Sequence, residues 1–358
     1  MPYKISGSKN EAARVIIIKE SDWSIESNTV DSGSGAYEIP DLESGAKTVA
    51  VRSSTGEVLV YGNVSSEYYA PSVGDRGIFA GGETPADSNV IDYITISTTG
   101  NATNFGELIG TRKQQFSGTS NGITGRGVFA GDLNIVINYI EIMTPANAQS
   151  FGNLPDTRLA SCAACSNRTN NRGVWSGGYH SATLNSIDYV NISTPGNASD
   201  WGDLFYAESK HAGTSNGEND RGIFGGGNTF TNIIQYITIS TTGNGVDFGD
   251  LLTGRYELAS CSNGTNDRAV WAGGYNTFNI IDYVTISTPS NSTDFGDLVN
   301  YGYGIAGLSN FTGDRGVFSG RVSATNLIDY ITISSLGDAT TFGNLSVARY
   351  RGATASNG

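Results

Sequence analysis

Residues Asp267–Gly274 read DRAVWAGG, and close copies of this octet recur along the chain. They are DRGIFAGG from Asp75, GRGVFAGD from Gly125, NRGVWSGG from Asn171, DRGIFGGG from Asp220 and DRGVFSGR from Asp314. Either the six copies carry six sets of reactive groups, or they are six copies of a strand. The arginines Arg76, Arg126, Arg172, Arg221, Arg268 and Arg315 mark a period of 46–50 residues, the range of blade-type repeats.

One unit reads ELASCSNGTN, DRAVWAGG, YNTFN, IIDYVTIST, PSNST, DFGDL. Four short β-prone runs are separated by Gly, Asn, Ser, Thr and Pro turns, and no stretch shows capped helical periodicity. Four strands per unit, six times over, predict an all-β fold: a six-bladed β-propeller spanning 75–358. The first copy starts at its second strand, whereas Arg351–Gly358 (RGATASNG) is a first strand with nothing after it. The two ends are therefore expected to share one closing blade, which removes an open sheet edge.

Residues 1–65 lack the repeat. Runs such as ARVIIIKE and KTVAVRSS predict a small β-sandwich, and Ser66–Gly74 reads as the linker. No apolar run approaches a membrane span, and the start lacks a signal-peptide pattern. A net charge of −13 without a Lys/Arg cluster argues against nucleic acid and anionic membranes as partners.

The repeated glycines do not form a phosphate loop, because no Lys-Ser/Thr and no helix follow them. Aromatics occupy two slots per unit: Phe79, Phe129, Trp175, Phe224, Trp271 and Phe318, then Phe105, Phe151, Trp201, Phe248, Phe295 and Phe342. Slots that accept Phe or Trp want apolar bulk between blades. Tyr93, Tyr139, Tyr189, Tyr236, Tyr283 and Tyr330 recur unchanged, so a fixed structural partner is expected for their hydroxyls. The six arginines are expected to pair with a blade carboxylate such as Asp282. Cys162 and Cys165 form a CxxC, but an offset of three on a strand sends the side chains to opposite faces, against redox or zinc chemistry. Cys165 and Cys261 share a slot with Thr119, Thr214, Leu308 and Ala355, mostly small residues suited to a narrow axis. Acidic pairs such as Asp294/Asp297 recur at equivalent positions, which favours a structural role over glycoside hydrolysis. No metal or cofactor is expected, and the chain is read as not an enzyme.

The Gly-Gly after an apolar strand, followed by Asn-x-Ile-Asp-Tyr, resembles kelch and galactose-oxidase-like propellers. RGIFAGG (Arg76–Gly82), IDYVTIST (Ile281–Thr288) and DFGDL (Asp294–Leu298) together resemble repeats in virion structural proteins of tailed phages, notably marine and cyanobacterial ones. The resemblance covers about residues 75–358. It implies a virion location: a fibre, tail or head-decoration component whose N-terminal module attaches to other virion proteins. The spacing from Tyr93 to Phe105 departs from kelch. The alternatives are a purely architectural virion protein and a sugar-active enzyme.

In an antiparallel four-stranded blade the 1–2 and 3–4 turns share one face of the ring, and the 2–3 and 4–1 loops share the other. The first set is uniform (SNGTNDR, STTGNAT); the second is varied (YHSATLNS, NTFTNI, YNTFNI, RVSATN; FYAESKHA, LTGRYE, VNYGYG). Varied loops on a rigid scaffold suit binding. Candidate contacts with a host surface glycan or a protein are Tyr179, His180, Phe230, Tyr275, Phe278 and Arg321 in 2–3 loops, with Tyr206, Tyr256, Tyr301 and Tyr303 in 4–1 loops.

Overall fold

The computed structural model describes strands within 3–64, and residues 75–357 apart from 85–86, 113–115, 121, 123–124, 133–134, 156–160, 168–169, 218, 276–278, 311–312 and 323–324. The linker assigned to Ser66–Gly74 lies outside the described residues. The chain divides into two compact units, Met1–Ser72 and Val73–Gly358. In the first, six strands form two antiparallel sheets. Tyr3–Lys9 pairs with Gly35–Leu42, while Ala13–Lys19 lies between Ser24–Asp31 and Lys47–Ser53, which pairs with Val58–Val64.

The second unit is a six-bladed propeller of four-stranded antiparallel sheets. Each octet is the second strand of a blade, flanked by a short inner strand and by the Ile-x-Tyr strand, where x is Asp in four blades, Asn138 in blade 2 and Gln235 in blade 4. In blade 5, for example, Ala259–Cys261, Arg268–Ala272, Ile280–Thr285 and Thr293–Asp297 follow in order. Blade 1 closes the ring as expected: the last strand, Ala353–Ser356, pairs antiparallel with Arg76–Glu83. The inner strands surround a polar axial channel with a cavity of about 130 Å³.

What the octet repeats is a joint between blades. Each arginine lies over the tyrosine of its own blade, as Arg76 over Tyr93 at 4.3 Å and Arg268 over Tyr283 at 4.8 Å. Its guanidinium then donates to an isoleucine carbonyl of the next blade. Arg76 bonds Ile142 at 2.9 Å, Arg268 bonds Ile333 at 2.6 Å, and Arg315 of blade 6 returns to Ile96 of blade 1 at 3.1 Å. Arg126, Arg172 and Arg221 do the same toward Ile192, Ile239 and Ile286. The tyrosine ring is held on its other contact by the second aromatic slot, edge to face, as in Tyr189–Trp201 at 5.2 Å. The expected pairing of these arginines with a blade carboxylate is not what recurs: the cation is taken by a π face and a neighbouring carbonyl, and Asp282 is paired with Arg255 instead. Arg126 also meets a carboxylate, but it is that of Glu141, at 2.8 Å. The tyrosine contact that recurs is through the ring, while the Tyr139 hydroxyl also donates to Gln149 at 2.8 Å.

The uniform turns are joints as well. The amide after the DFG-type glycine is capped by an Asn or Asp of the next blade, from Asn147 on Glu107 at 3.0 Å round to Asn101 on Asn344 at 3.1 Å. The glycine leaves room for that turn: a Cβ on Gly152 would stand 2.0 Å from the Gly196 carbonyl, and on Gly343 2.1 Å from that of Gly100. Asparagines of the 1–2 turns reach the next octet's aspartate, as Asn216 to Asp267 at 3.2 Å and Asn310 to Asp75 at 3.2 Å.

The first aromatic slot is buried between blades, with Trp175 and Trp271 fully covered. Cys162 packs with blade 2 and Cys165 with blade 4, on opposite sides of their strand. The cysteine slot lines the axial cavity together with Thr119, Thr214, Leu308 and Ala355, as expected, and it also serves as a contact between blades. Cys165 and Cys261 press on Gly222 and Gly316 of the following blade, where a Cβ would lie 2.5 Å from either sulfur. Burial pushes both thiols well above the ordinary range, which disfavours the reactive thiolate.

Candidate functional site

The antiparallel order puts the 2–3 and 4–1 loops together on one face of the ring. Among the described residues, thirteen large apolar side chains are exposed, and only Met143, Val246 and Leu336 lie toward the uniform face. The other ten stand on the varied face. Five of them, Ile109, Phe205, Leu252, Val299 and Val347, follow the last buried leucine of a blade and form a periodic rim at 40–60% exposure. This mostly aliphatic rim escapes a search for aromatic and charged residues, although each member sits just past a recurring leucine.

Beneath the varied loops, five residues line up around the mouth of the axis: Ser161, Lys210, Glu257, Gly304 and Arg351. All five are left-handed, with φ between 57° and 69°. Each amide donates to the carbonyl of the one before it, at 2.8, 2.8, 2.8 and 2.6 Å. Their side chains close a charge network over the axis. Glu257, buried, accepts from Lys210 at 3.2 Å and from Arg351 at 2.9 and 3.0 Å, and Arg351 also binds Glu83 at 2.9 Å. Burial alone would lower the Arg351 guanidinium, but its bonds to Glu257 and Glu83 outweigh this and raise it.

On this mouth the structure brings together four of the predicted residues. Tyr256 and Tyr275 stack at 4.6 Å with planes 12° apart; Phe230 meets Tyr256 at 5.2 Å and Tyr275 at 6.2 Å, and Tyr303 meets Tyr275 at 4.7 Å. The Lys210 ammonium lies 4.9 Å from the Tyr256 ring centre. Burial, reinforced by Tyr275 and Glu257, pushes the Tyr256 hydroxyl up to about 12; Tyr303 rises for the same first reason. The hairpin that carries Phe230 is unusual: Thr229 and Phe230 are both left-handed, at φ 63° and 59°. A β-branched residue there is a true outlier, and each such residue costs on the order of 1–3 kcal/mol. The hairpin is trapped by close backbone packing, since a Cβ on Gly254 would stand 1.8 Å from the Phe230 carbonyl.

Tyr179, His180, Tyr206 and Tyr301 are exposed on the same face, on blade 3 and in the 3–4 and 5–6 connections. Phe278 lies outside the described residues. Arg321 is a correction. It ends the strand Arg315–Arg321, is 1% exposed, and is ion-paired to buried Asp329 rather than offered to a partner. Blades 1 and 5 explain why. There the aspartate of Ile-Asp-Tyr is met by an arginine from the preceding 4–1 loop: Asp92 by Arg349 at 2.9 Å, and Asp282 by Arg255. The connection into blade 6, VNYGYG, has no arginine, and Arg321 fills that place from the blade's own strand.

Among the other titratable groups, Glu208 is 2% exposed, and burial raises its carboxyl to about 8 against lowering bonds from the Thr231 side chain and the Ser209 backbone. Ser176 Oγ and His211 Nε2 lie 2.9 Å apart, a spacing a nucleophile and its base would use, but both are buried between blades 3 and 4. Asp294 and Asp297 sit exposed on an outermost strand. Among the described residues no three His, Cys, Asp or Glu side chains gather as a metal site. No protein-family profile matches the chain, and no curated protein is significantly similar to it.

Proposed function

We propose that the chain is a non-enzymatic virion component whose propeller displays a binding face, formed by the 2–3 and 4–1 loops, to a host surface glycan or a neighbouring virion protein. The observation that carries this is the asymmetry of the ring. One face is consumed by blade-to-blade joints and repeats its sequence for that reason. The other gathers ten of the thirteen exposed large apolar side chains among the described residues. Exposed apolar surface held on a rigid frame is the usual mark of an interaction site. Asp294 and Asp297 lie exposed on an outer strand, and Ser176 and His211 are both buried; these placements favour binding over turnover.

The virion assignment rests on the repeat's resemblance to tailed-phage structural proteins, and the N-terminal module is its means of attachment. Immunogold labelling of purified particles, with antibodies raised against the full chain, tests it. The expected result is a discrete labelled position on the particle; a protein found only in the lysate supernatant overturns the assignment. Turnover of any member of a glycan panel would instead establish the sugar-active alternative.

A further inference from the structure

We propose that the mouth of the ring on the varied face binds an uncharged oligosaccharide, with Phe230 and Tyr275 as its stacking surface. This rests on the reading of that face as the binding face and goes on to name the ligand class.

Three observations lead there. First, Phe230 is offered to solvent at a conformational cost. Thr229 and Phe230 are held left-handed by the packing of Gly254 against the Phe230 carbonyl, yet the ring stays 46% exposed instead of tucking into a blade. Strain that leaves an apolar ring uncovered is what a ligand-facing residue shows.

Second, Phe230 is one edge of a continuous aromatic cluster, whose rings stand tilted or edge-on to one another apart from the stacked Tyr256–Tyr275 pair. Tyr256, Tyr275 and Tyr303 extend it across the connections and hairpins of blades 4, 5 and 6, with Tyr275 37% exposed. A pyranose ring has an apolar C–H face that lies on such a surface, and equatorial hydroxyls that tyrosine hydroxyls can bond. A purely apolar ligand would take those hydroxyls out of water and offer them no hydrogen bond.

Third, the charges beside this cluster are already spent on one another. Lys210 and Arg351 both bind Glu257, and Arg351 also binds Glu83. Two cations face two carboxylates, so this network has no surplus positive charge to recruit a sulfated, sialylated or phosphorylated group. The net charge of −13 further disfavours acidic glycans.

The test is binding of the full chain to neutral hexose oligomers (β-glucan, α-glucan, mannan and galactan hexasaccharides) and to acidic ones (sialyllactose, heparin and alginate oligomers). Titration calorimetry would then quantify any hit. The expected result is binding to a neutral oligomer, nearly independent of salt, weakened about tenfold or more by Phe230→Ala or Tyr275→Ala. Tyr275→Phe keeps most of the affinity, and Val246→Ala and Leu336→Ala on the uniform side leave it unchanged. Alanine keeps the Cβ and the left-handed backbone of Phe230, and the ring it removes is about half exposed, so the melting temperature should fall little, which separates lost binding from lost folding.

Preference for acidic oligomers, or neutral binding indifferent to both alanine variants, overturns the proposal. So does failure to bind any oligomer. If no sugar binds but a protein partner does, and the same two variants weaken it, the ligand class is wrong and the binding face stands. If Val246→Ala or Leu336→Ala alone abolishes binding, the face itself is wrong.

Discussion

Replacing Arg321 by alanine separates a ligand-contacting arginine from a structural one. The guanidinium and the Asp329 carboxylate are both buried, within one blade. Truncating one partner strands the other charge, which typically costs about 3–5 kcal/mol. For a domain of this size that corresponds to a fall of roughly 5–15 °C in Tm. The loss carries a pH signature. Burial raises the Asp329 carboxyl, and Arg321 opposes that rise. Without Arg321 the folded-state value climbs further above the unfolded one. A carboxyl raised on folding contributes stability at low pH that is lost as pH rises through the folded value. The Arg321→Ala penalty should therefore be small near pH 4 and full at neutral pH.

The pair is also imperfectly satisfied: Asp329 Oδ1 and Arg321 Nε and Nη1 lack hydrogen-bond partners. Arg321→Met with Asp329→Leu is accordingly expected to melt near the native protein or above it. Thermal melts of the two singles and the double, from pH 4 to 8, provide the check. An Arg321→Ala protein with an unchanged melt but weakened binding would refute the reasoning and return Arg321 to the contact surface.

Deleting Arg351–Gly358 removes the strand paired with Arg76–Glu83 and the Arg351 ion pairs, so Tm should fall sharply and the strand edge should drive aggregation; an unchanged melt would refute ring closure. Gly152→Ala should destabilise by about 1–3 kcal/mol through collision with the Gly196 carbonyl, read as a shift in the denaturant midpoint at constant m. Glu208→Gln should flatten the loss of stability that the native protein shows as pH rises from about 5 to 8. The raised carboxyl keeps its proton in the folded state while the unfolded chain has released it, so stability falls by up to roughly 1.4 kcal/mol for each tenfold drop in proton concentration across that window. A native protein with no such slope would remove the burial argument for Glu208.

The period-2 runs and the recurrence of the octet made the strands, the blade number and the shared closing blade legible in the sequence. They are set by local pattern and by copy number, and a single chain displays both. The partners of the repeated residues were not legible, because they lie one blade away. Arg76 reaches Ile142 and Asn310 reaches Asp75 across separations that no local pattern encodes. The expectation for Asp282 fails for the same reason: its arginine comes from a varied loop, Arg255, rather than from the repeat. Of the candidate contacts, Phe230, Tyr256, Tyr275 and Tyr303 converge because their loops share a face, which strand alternation predicts. Arg321 does not, because it is the last residue of a strand rather than a loop tip. The left-handed belt from Ser161 to Arg351 has no common residue type, so only backbone geometry reveals it.

Hydroxyl-radical footprinting of the full chain, free and engaged with the particle or cell surface that retains it, tests the assignment of the working face most directly. Reporters stand on both sides of the ring: Phe205, Phe230, Tyr275 and Tyr301 on the varied face, Met143 and Leu336 on the uniform one. Protection of the first four, with Met143 and Leu336 as reactive as in the free protein, is the predicted result. Protection of Met143 and Leu336 while the four aromatic rings stay reactive would contradict it.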